Sequence, residues 1–391
     1  MCTLFLAALS GCAGAHGCHS ADAPAGAAPA QPPPPAATVQ GPLLDDASVF
    51  ELVATSEGAL LLWAAGECQR GLSLQRFDAD GLPLGAAIGV PACGELDAKA
   101  RVTSLAAVAA GGKLGVAWVV RGADRAEVLG SIGDDAAGSL AAPAPLGAAD
   151  VTPPAAQRQL LISGAETGQL RVMFRGPSAA CTAQAGACAQ VISTPLPPAR
   201  QAAARRTDTR EVPTACPQLL VGSAWNRGVW YDAFCALESA AGLPTTEVYS
   251  VRPEIFYAEA LPTLRSCTPI GLAPSERGVI VLGACADGIY AHALSEAHRV
   301  VHARVQRALR CEAGRPILEI RARGDVAESY KLSGPRDRIE LWLPESLAGE
   351  TARAAFTGRN LLIAEVQGQR LTLSRQHCQG ETLVSDTRTM L

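Results

Sequence analysis

Cysteine is the residue type with the most chemistry to offer. The 391-residue chain carries thirteen, at positions 2, 12, 18, 68, 93, 181, 188, 216, 235, 267, 285, 311 and 378. Thiols can ligate zinc or close disulfides, and spacing separates the two uses. No Cys-x-x-Cys pair occurs, and the cysteines that group as neighbours within a repeat lie 7 to 25 residues apart, unlike a zinc finger or ribbon. Disulfides are therefore the expectation. Cys68 groups with Cys93, Cys181 with Cys188, Cys216 with Cys235, and Cys267 with Cys285. The last two pairs are 19 and 18 residues apart and each brackets a strand-like run, as if one bridge recurred in adjacent repeats. Cys311 and Cys378 are left to join the ends of a last repeat, and Cys18 is left over. Setting Cys2 and Cys12 aside, eleven cysteines point to an oxidising compartment. Each closed bridge contributes about 2–4 kcal/mol of stability.

Other residue sets meet simpler explanations. His298 and His302 stand at i, i+4, which would align both imidazoles on one face of a helix. A metalloprotease helix needs Glu directly after the first histidine, and Arg299 stands there. His292 offers no fixed third ligand, so solvated or capping histidines are expected. Asp78-Ala79-Asp80-Gly81 opens like a calcium loop, but Leu82-Pro83-Leu84-Gly85 supplies no further acid, and an Asp-Gly hairpin turn accounts for it. Arg323-Gly324-Asp325 is a tripeptide of common residues and carries little weight. No Gly-x-Ser-x-Gly elbow, phosphate loop or dinucleotide fingerprint occurs. Carboxylates abound, but no spacing identifies a glycosidase pair. We therefore assign no catalytic residue, no metal and no cofactor.

The elements that would position such residues read as strands. From about residue 47 onward, short apolar runs alternate with Gly, Pro, Asp and Asn turns. Six runs are clearest: Ala59–Trp63, Leu114–Trp118, Leu170–Phe174, Gly228–Tyr231, Val279–Leu282 and Ile339–Trp342. One large apolar residue from each (63, 118, 174, 230, 282, 342) gives spacings of 55, 56, 56, 52 and 60 residues. A recurrence of that length is a repeat signal. Val102–Val108 precedes one run and Leu72–Phe77 follows another, so each repeat holds three or four antiparallel strands, the content of a propeller blade. The expected fold is all-β and β-propeller-like, with six blades, or seven if Leu361–Ala364 adds one. One segment breaks the pattern. Ser295 to Leu309 places Val301, Val305 and Leu309 at i, i+4, i+8, which fits an amphipathic helix capped by Ser295 or else an outer blade strand.

The N-terminus is of another kind. Met1 to Gly11 is a short apolar run ending in small residues. Leu9-Ser10-Gly11-Cys12 resembles the lipobox of bacterial lipoproteins, although no Lys or Arg precedes the run. The resemblance implies that residues 1–11 are removed, that Cys12 is lipidated, and that Ala13, not being Asp, directs the chain to the outer membrane. Residues 12–42 then form a Pro/Ala-rich tether, extended and partly polyproline II, reaching about 90 Å over about 30 residues. Residues 43–391 form the body. The stretch Leu74 to Gly85 likewise resembles a strand-turn-strand element of secreted bacterial propeller-like repeat proteins. A formal charge of −4 argues against a nucleic-acid partner. Past the N-terminus no apolar run approaches the roughly 20 residues that span a bilayer. Together these features describe an exported protein held to the outer membrane or cell surface by its lipid. Its body would act as a binding or scaffold module for an envelope protein or glycan, with an exported hydrolase or lyase on carbohydrate or peptide as the competing expectation.

Overall fold

Gly58–Ala64 is buried at every position, which explains a run of three leucines and a tryptophan with no polar alternation: both faces of the strand are covered. Leu60 and Leu62 pack with Leu105 and Trp118 of the following sheet. Leu61 and Trp63 point the other way, against Leu362 and Leu373 near the C-terminus. A strand packed on both sides, with its sheet standing between two others, is the arrangement that repeats through the computed structural model.

The structure describes residues 49–390 except 95, 97–98, 137–138, 152–158, 178–187, 197–207, 214–218, 238–243, 253–256, 261–263, 266–267, 276–277, 286–287, 296–299, 324–327, 333–351 and 368–369. Within them six antiparallel sheets follow one another along the chain. The first holds β1 (Val49–Ala54), β2 (Gly58–Ala64), β3 (Leu72–Asp78) and β4 (Ile88–Val90). The second holds β5 (Arg101–Ala110), β6 (Lys113–Arg121) and β7 (Ala126–Asp134), with β8 (Ser139–Leu140) and β9 (Ala144–Ala149) both pairing on β7. The third runs β10 (Leu160–Gly164), β11 (Leu170–Gly176), β12 (Cys188–Leu196), β13 (Asp208–Pro213). The fourth is β14 (Leu220–Asn226), β15 (Val229–Leu237), β16 (Pro244–Arg252), β17 (Tyr257–Ala260), with β18 (Leu264–Arg265) on β16. The fifth has six strands: β19 (Thr268–Ser275), β20 (Gly278–Cys285), β21 (Gly288–Ser295), β22 (Val300–Glu312), β23 (Arg315–Arg323) and β24 (Glu328–Leu332). The sixth is β25 (Ala352–Phe356), β26 (Leu361–Gln367), β27 (Arg370–Gln379) and β28 (Thr382–Met390).

The first strands of successive sheets touch in turn: β1 with β5, β5 with β10, β10 with β14, β14 with β19, and β1 with β25. The fifth and sixth sheets meet through β22 with β28 and β23 with β27. This is a ring of six meanders with their opening strands innermost, a six-bladed β-propeller. Apolar cores fill the gaps between neighbouring sheets, such as Val108, Ile162, Leu170 and Phe174 between the second and third, and Val221, Tyr231, Val279 and Val281 between the fourth and fifth.

The structure decides between two pairs of alternatives. Leu361–Ala364 is not the start of a seventh blade but the second strand of the sixth sheet, antiparallel to β25 and β27; Ile339–Trp342 lies outside the described residues. Of the two readings for Ser295 to Leu309, helix or blade strand, the strand holds for the described residues. Ser295 ends β21, and Val300–Glu312 is a long strand between β21 and β23. A spacing of i, i+4, i+8 is even-numbered, so it satisfies the two-residue period of a strand as well as a helical face.

Candidate functional site

The gap between the third and fourth sheets buries a polar cluster. On the third sheet Ser163 of β10 is the Cα partner of Arg171 on β11. On the fourth, Ser223 of β14 is the Cα partner of Asp232 on β15. Each sheet thus sets a serine of its innermost strand beside a charged residue of the next, and the two pairs meet. Arg171 Nε donates to Asp232 Oδ2 at 3.1 Å, Ser223 Oγ donates to Asp232 Oδ1 at 2.7 Å, and the Ser163 and Ser223 hydroxyls share a 2.8 Å bond. Apolar groups close the cluster on both sides: Trp230 and Val251 with Ala165 toward one end, Leu161, Met173 and Phe234 toward the other. Desolvation strengthens such bonds and makes an unmatched member costly. Both carboxylate oxygens of Asp232 are engaged, so the group holds strands together and is not presented to a substrate.

The same chemistry recurs. Arg175 Nε donates to Asp150 Oδ2 at 2.6 Å, with both side chains about 5% exposed. Burial pushes the neighbouring Arg121 guanidinium below its ordinary value, while the Asp150 carboxylate pulls it back up. Glu51, buried on β1, lies 3.6 Å from Arg353 Nε of β25, and that guanidinium also sits 5.5 Å from the centroid of the Phe50 ring. Buried Glu319 takes Arg310 and Arg321, each at 2.9 Å. Four buried carboxylates are in this way charge-compensated by arginine, the residue whose fork best matches them.

Of the cysteines, Cys68 is bonded to Cys93, and Cys311 to Cys378. Cys311 lies on β22 and Cys378 on β27, so their bridge joins the fifth sheet to the sixth and does not close the ends of one repeat. Cys235 and Cys285 are also disulfide-bonded. Cys188 begins β12; Cys12, Cys18, Cys181, Cys216 and Cys267 lie outside the described residues, as do residues 1–48, His298, Gly324 and Asp325. His292 on β21 and His302 on β22 are Cα partners, on strands and not on a helix. Among the described residues no group of three or more His, Cys, Asp or Glu gathers into a metal site. Asp78 uses its Oδ1 to accept the backbone N–H groups of Asp80 and Leu82 at 2.9 and 2.8 Å, the closed form of an Asp-initiated turn.

The Ser163, Arg171, Ser223 and Asp232 cluster was not singled out from the sequence, although one signal was there. Arg171 sits inside Leu170–Phe174, a run otherwise apolar throughout, and a charge in the middle of a doubly covered strand must find a partner. What the run could not disclose was that the partner stands on the next sheet.

No protein-family model and no curated protein matches this chain. Solved structures resemble it in fold. The Dos1 propeller is 11% identical over 83% of this chain and 78% of its own, with a TM-score of 0.41. Trypanosoma rangeli sialidase in complex with sialic acid is 8% identical over 89% of this chain, TM-score 0.34; the chain spans only 59% of that protein's length. The polysaccharide lyase Uly1 is 9% identical over 88% of this chain and 78% of its own, TM-score 0.36. The order of the sheets, independent of these likenesses, defines the fold.

Proposed function

We propose that the chain is a lipid-anchored, exported propeller whose body serves as a binding or scaffold module at the cell envelope. The observation that carries this reading is the fate of four of the five carboxylates buried among the described residues. Glu51, Asp150, Asp232 and Glu319 are each held by an arginine of the same or the neighbouring sheet. Acid–base chemistry asks instead for a carboxyl free to exchange a proton with a ligand. The disulfides suit an oxidising compartment, and no helix among the described residues is long and apolar enough to cross a membrane. Residues 9–12, with their likeness to a lipobox, supply the anchor. An exported hydrolase or lyase is the competing reading and requires a carboxylate pair not already engaged by guanidinium.

The test is the intact mass of the protein taken from the membrane fraction and alkylated without reduction. The expected product begins at Cys12, carries a diacylglyceryl group, and takes up at most one alkyl group. A chain that keeps residues 1–11, or that alkylates at many thiols, would overturn the reading.

A further inference from the structure

Leu82, Leu84 and Ile88 are 45, 40 and 48% exposed and are the exposed large hydrophobics among the described residues. They lie within seven positions of one another, on the turn after β3 and on β4, the outermost strand of the first sheet. The segment is ordered against its neighbour. Leu84 N donates to Arg76 O at 2.8 Å, and Ile88 is the Cα partner of Leu74. From Gly81 to Gly94 the chain has fourteen residues and not one charge. Exposed sheet edges are ordinarily guarded by charged side chains, and here the guard is missing.

Three features decide what covers this ridge. Strand addition is blocked, because β4 is three residues long and Pro83 and Pro91 flank it; burial of side chains is the contact on offer, not backbone pairing. A protein partner would meet an apolar centre with a polar rim, whereas a bilayer's headgroup–acyl boundary excludes charge along the whole buried stretch, and these fourteen residues have none. The chain preceding the structure joins the body at Val49, the first residue of this same sheet. An anchor at the N-terminus therefore leads into the sheet that carries the ridge.

We infer that the Leu82–Leu84–Ile88 ridge rests in the surface of a lipid bilayer and orients the propeller upon it. This deepens the anchored reading above and rests on it for bringing the body to a membrane. The test uses the chain from Ala13 to Leu391, which keeps every strand of the ring and lacks both the apolar leader and Cys12. Flotation with phosphatidylethanolamine–phosphatidylglycerol vesicles compares it with L82S/L84S/I88S, both checked for an unchanged thermal transition. The parent floats, equally at low and high salt, and the variant's partitioning falls about tenfold. If the triple variant misfolds, Ile88→Lys alone gives the same comparison. A parent that stays in solution, a variant that floats as well, or a concentration-dependent dimer that the substitutions dissolve overturns the inference, the last by assigning the ridge to a second copy. Lipidation at Cys12 without flotation sinks this inference and leaves the anchor; flotation without lipidation does the reverse.

Discussion

The Arg171 guanidinium on the third sheet and the Asp232 carboxylate on the fourth lie 3.1 Å apart, with side chains 7 and 6% exposed. The pair bridges two blades that also meet there through the Ser163–Ser223 hydroxyl bond and through apolar side chains. Removing one member leaves the other charge buried alone, which typically costs about 3–5 kcal/mol, while replacing both by apolar groups of similar volume is often neutral. Asp232→Asn should therefore lower the urea midpoint strongly, and Arg171→Leu with Asp232→Leu should recover most of the loss. Equal losses in the single and double variants would show that the pair is not coupled.

The ring closes without a shared strand among the described residues: the first sheet comes wholly from residues 49–90 and the sixth from 352–390. Its polar latch is Asn360, whose Nδ2 donates to Ala79 O at 2.6 Å and to Asp80 Oδ1 at 3.1 Å, beside Thr357 Oγ1 donating to the same carbonyl at 2.8 Å. Asn360→Ala should cost about 1–3 kcal/mol, the range for an orphaned buried partner. Amide exchange should quicken in residues 78–82 and 356–361 ahead of the third and fourth sheets. Uniform acceleration throughout would argue against a seam that yields first.

Gly111 and Gly112 form the two-residue turn between β5 and β6, with φ of +57° and +75°. Both sit where L-residues are strained, yet their surroundings differ. A Cβ on Gly111 would fall 2.3 Å from the Gly168 nitrogen, whereas on Gly112 it meets nothing within 4 Å. Gly112→Ala should cost about 1–2 kcal/mol from the left-handed backbone alone. Gly111→Ala should cost clearly more, because backbone of the third sheet must shift. Thermal melts of the two variants compare them directly.

Cys311 and Cys378 close a loop of 67 residues across the join of the fifth and sixth sheets, and Cys68 and Cys93 one of 25. On the loop-entropy account, losing the first should cost about 4 kcal/mol and the second about 3.5. The difference in place matters more than the difference in size. Cys311→Ser with Cys378→Ser should loosen β22 and β27 together, visible as faster exchange in both, while Cys68→Ser with Cys93→Ser should spare them. Exchange that changes in only one of the two sheets would show that the bridge does not couple the blades.

Much of the fold was legible because its causes are local. A strand covered on both faces must be apolar throughout, so the runs at Leu60, Val116, Val172 and Val281 announce themselves. The recurrence of those runs dictated a ring of like units. Asp78 and Gly81 specify their turn by short-range hydrogen bonding. Two local signals were not decisive. Even spacing at Val301, Val305 and Leu309 is shared by helices and strands, and Trp230 marks the right strand but lies nearer the hairpin turn than Phe234, whose pairing with Leu220 matches that of Phe174 with Leu160. Tertiary structure alone decided the rest, for a single reason: those contacts join residues about 60 to 280 positions apart, and nothing in a local pattern encodes which sheet will stand opposite. It chose Asp232 as the partner of Arg171, Asn360 as the latch on Ala79, and the neighbouring blade as the far end of the Cys311 bridge.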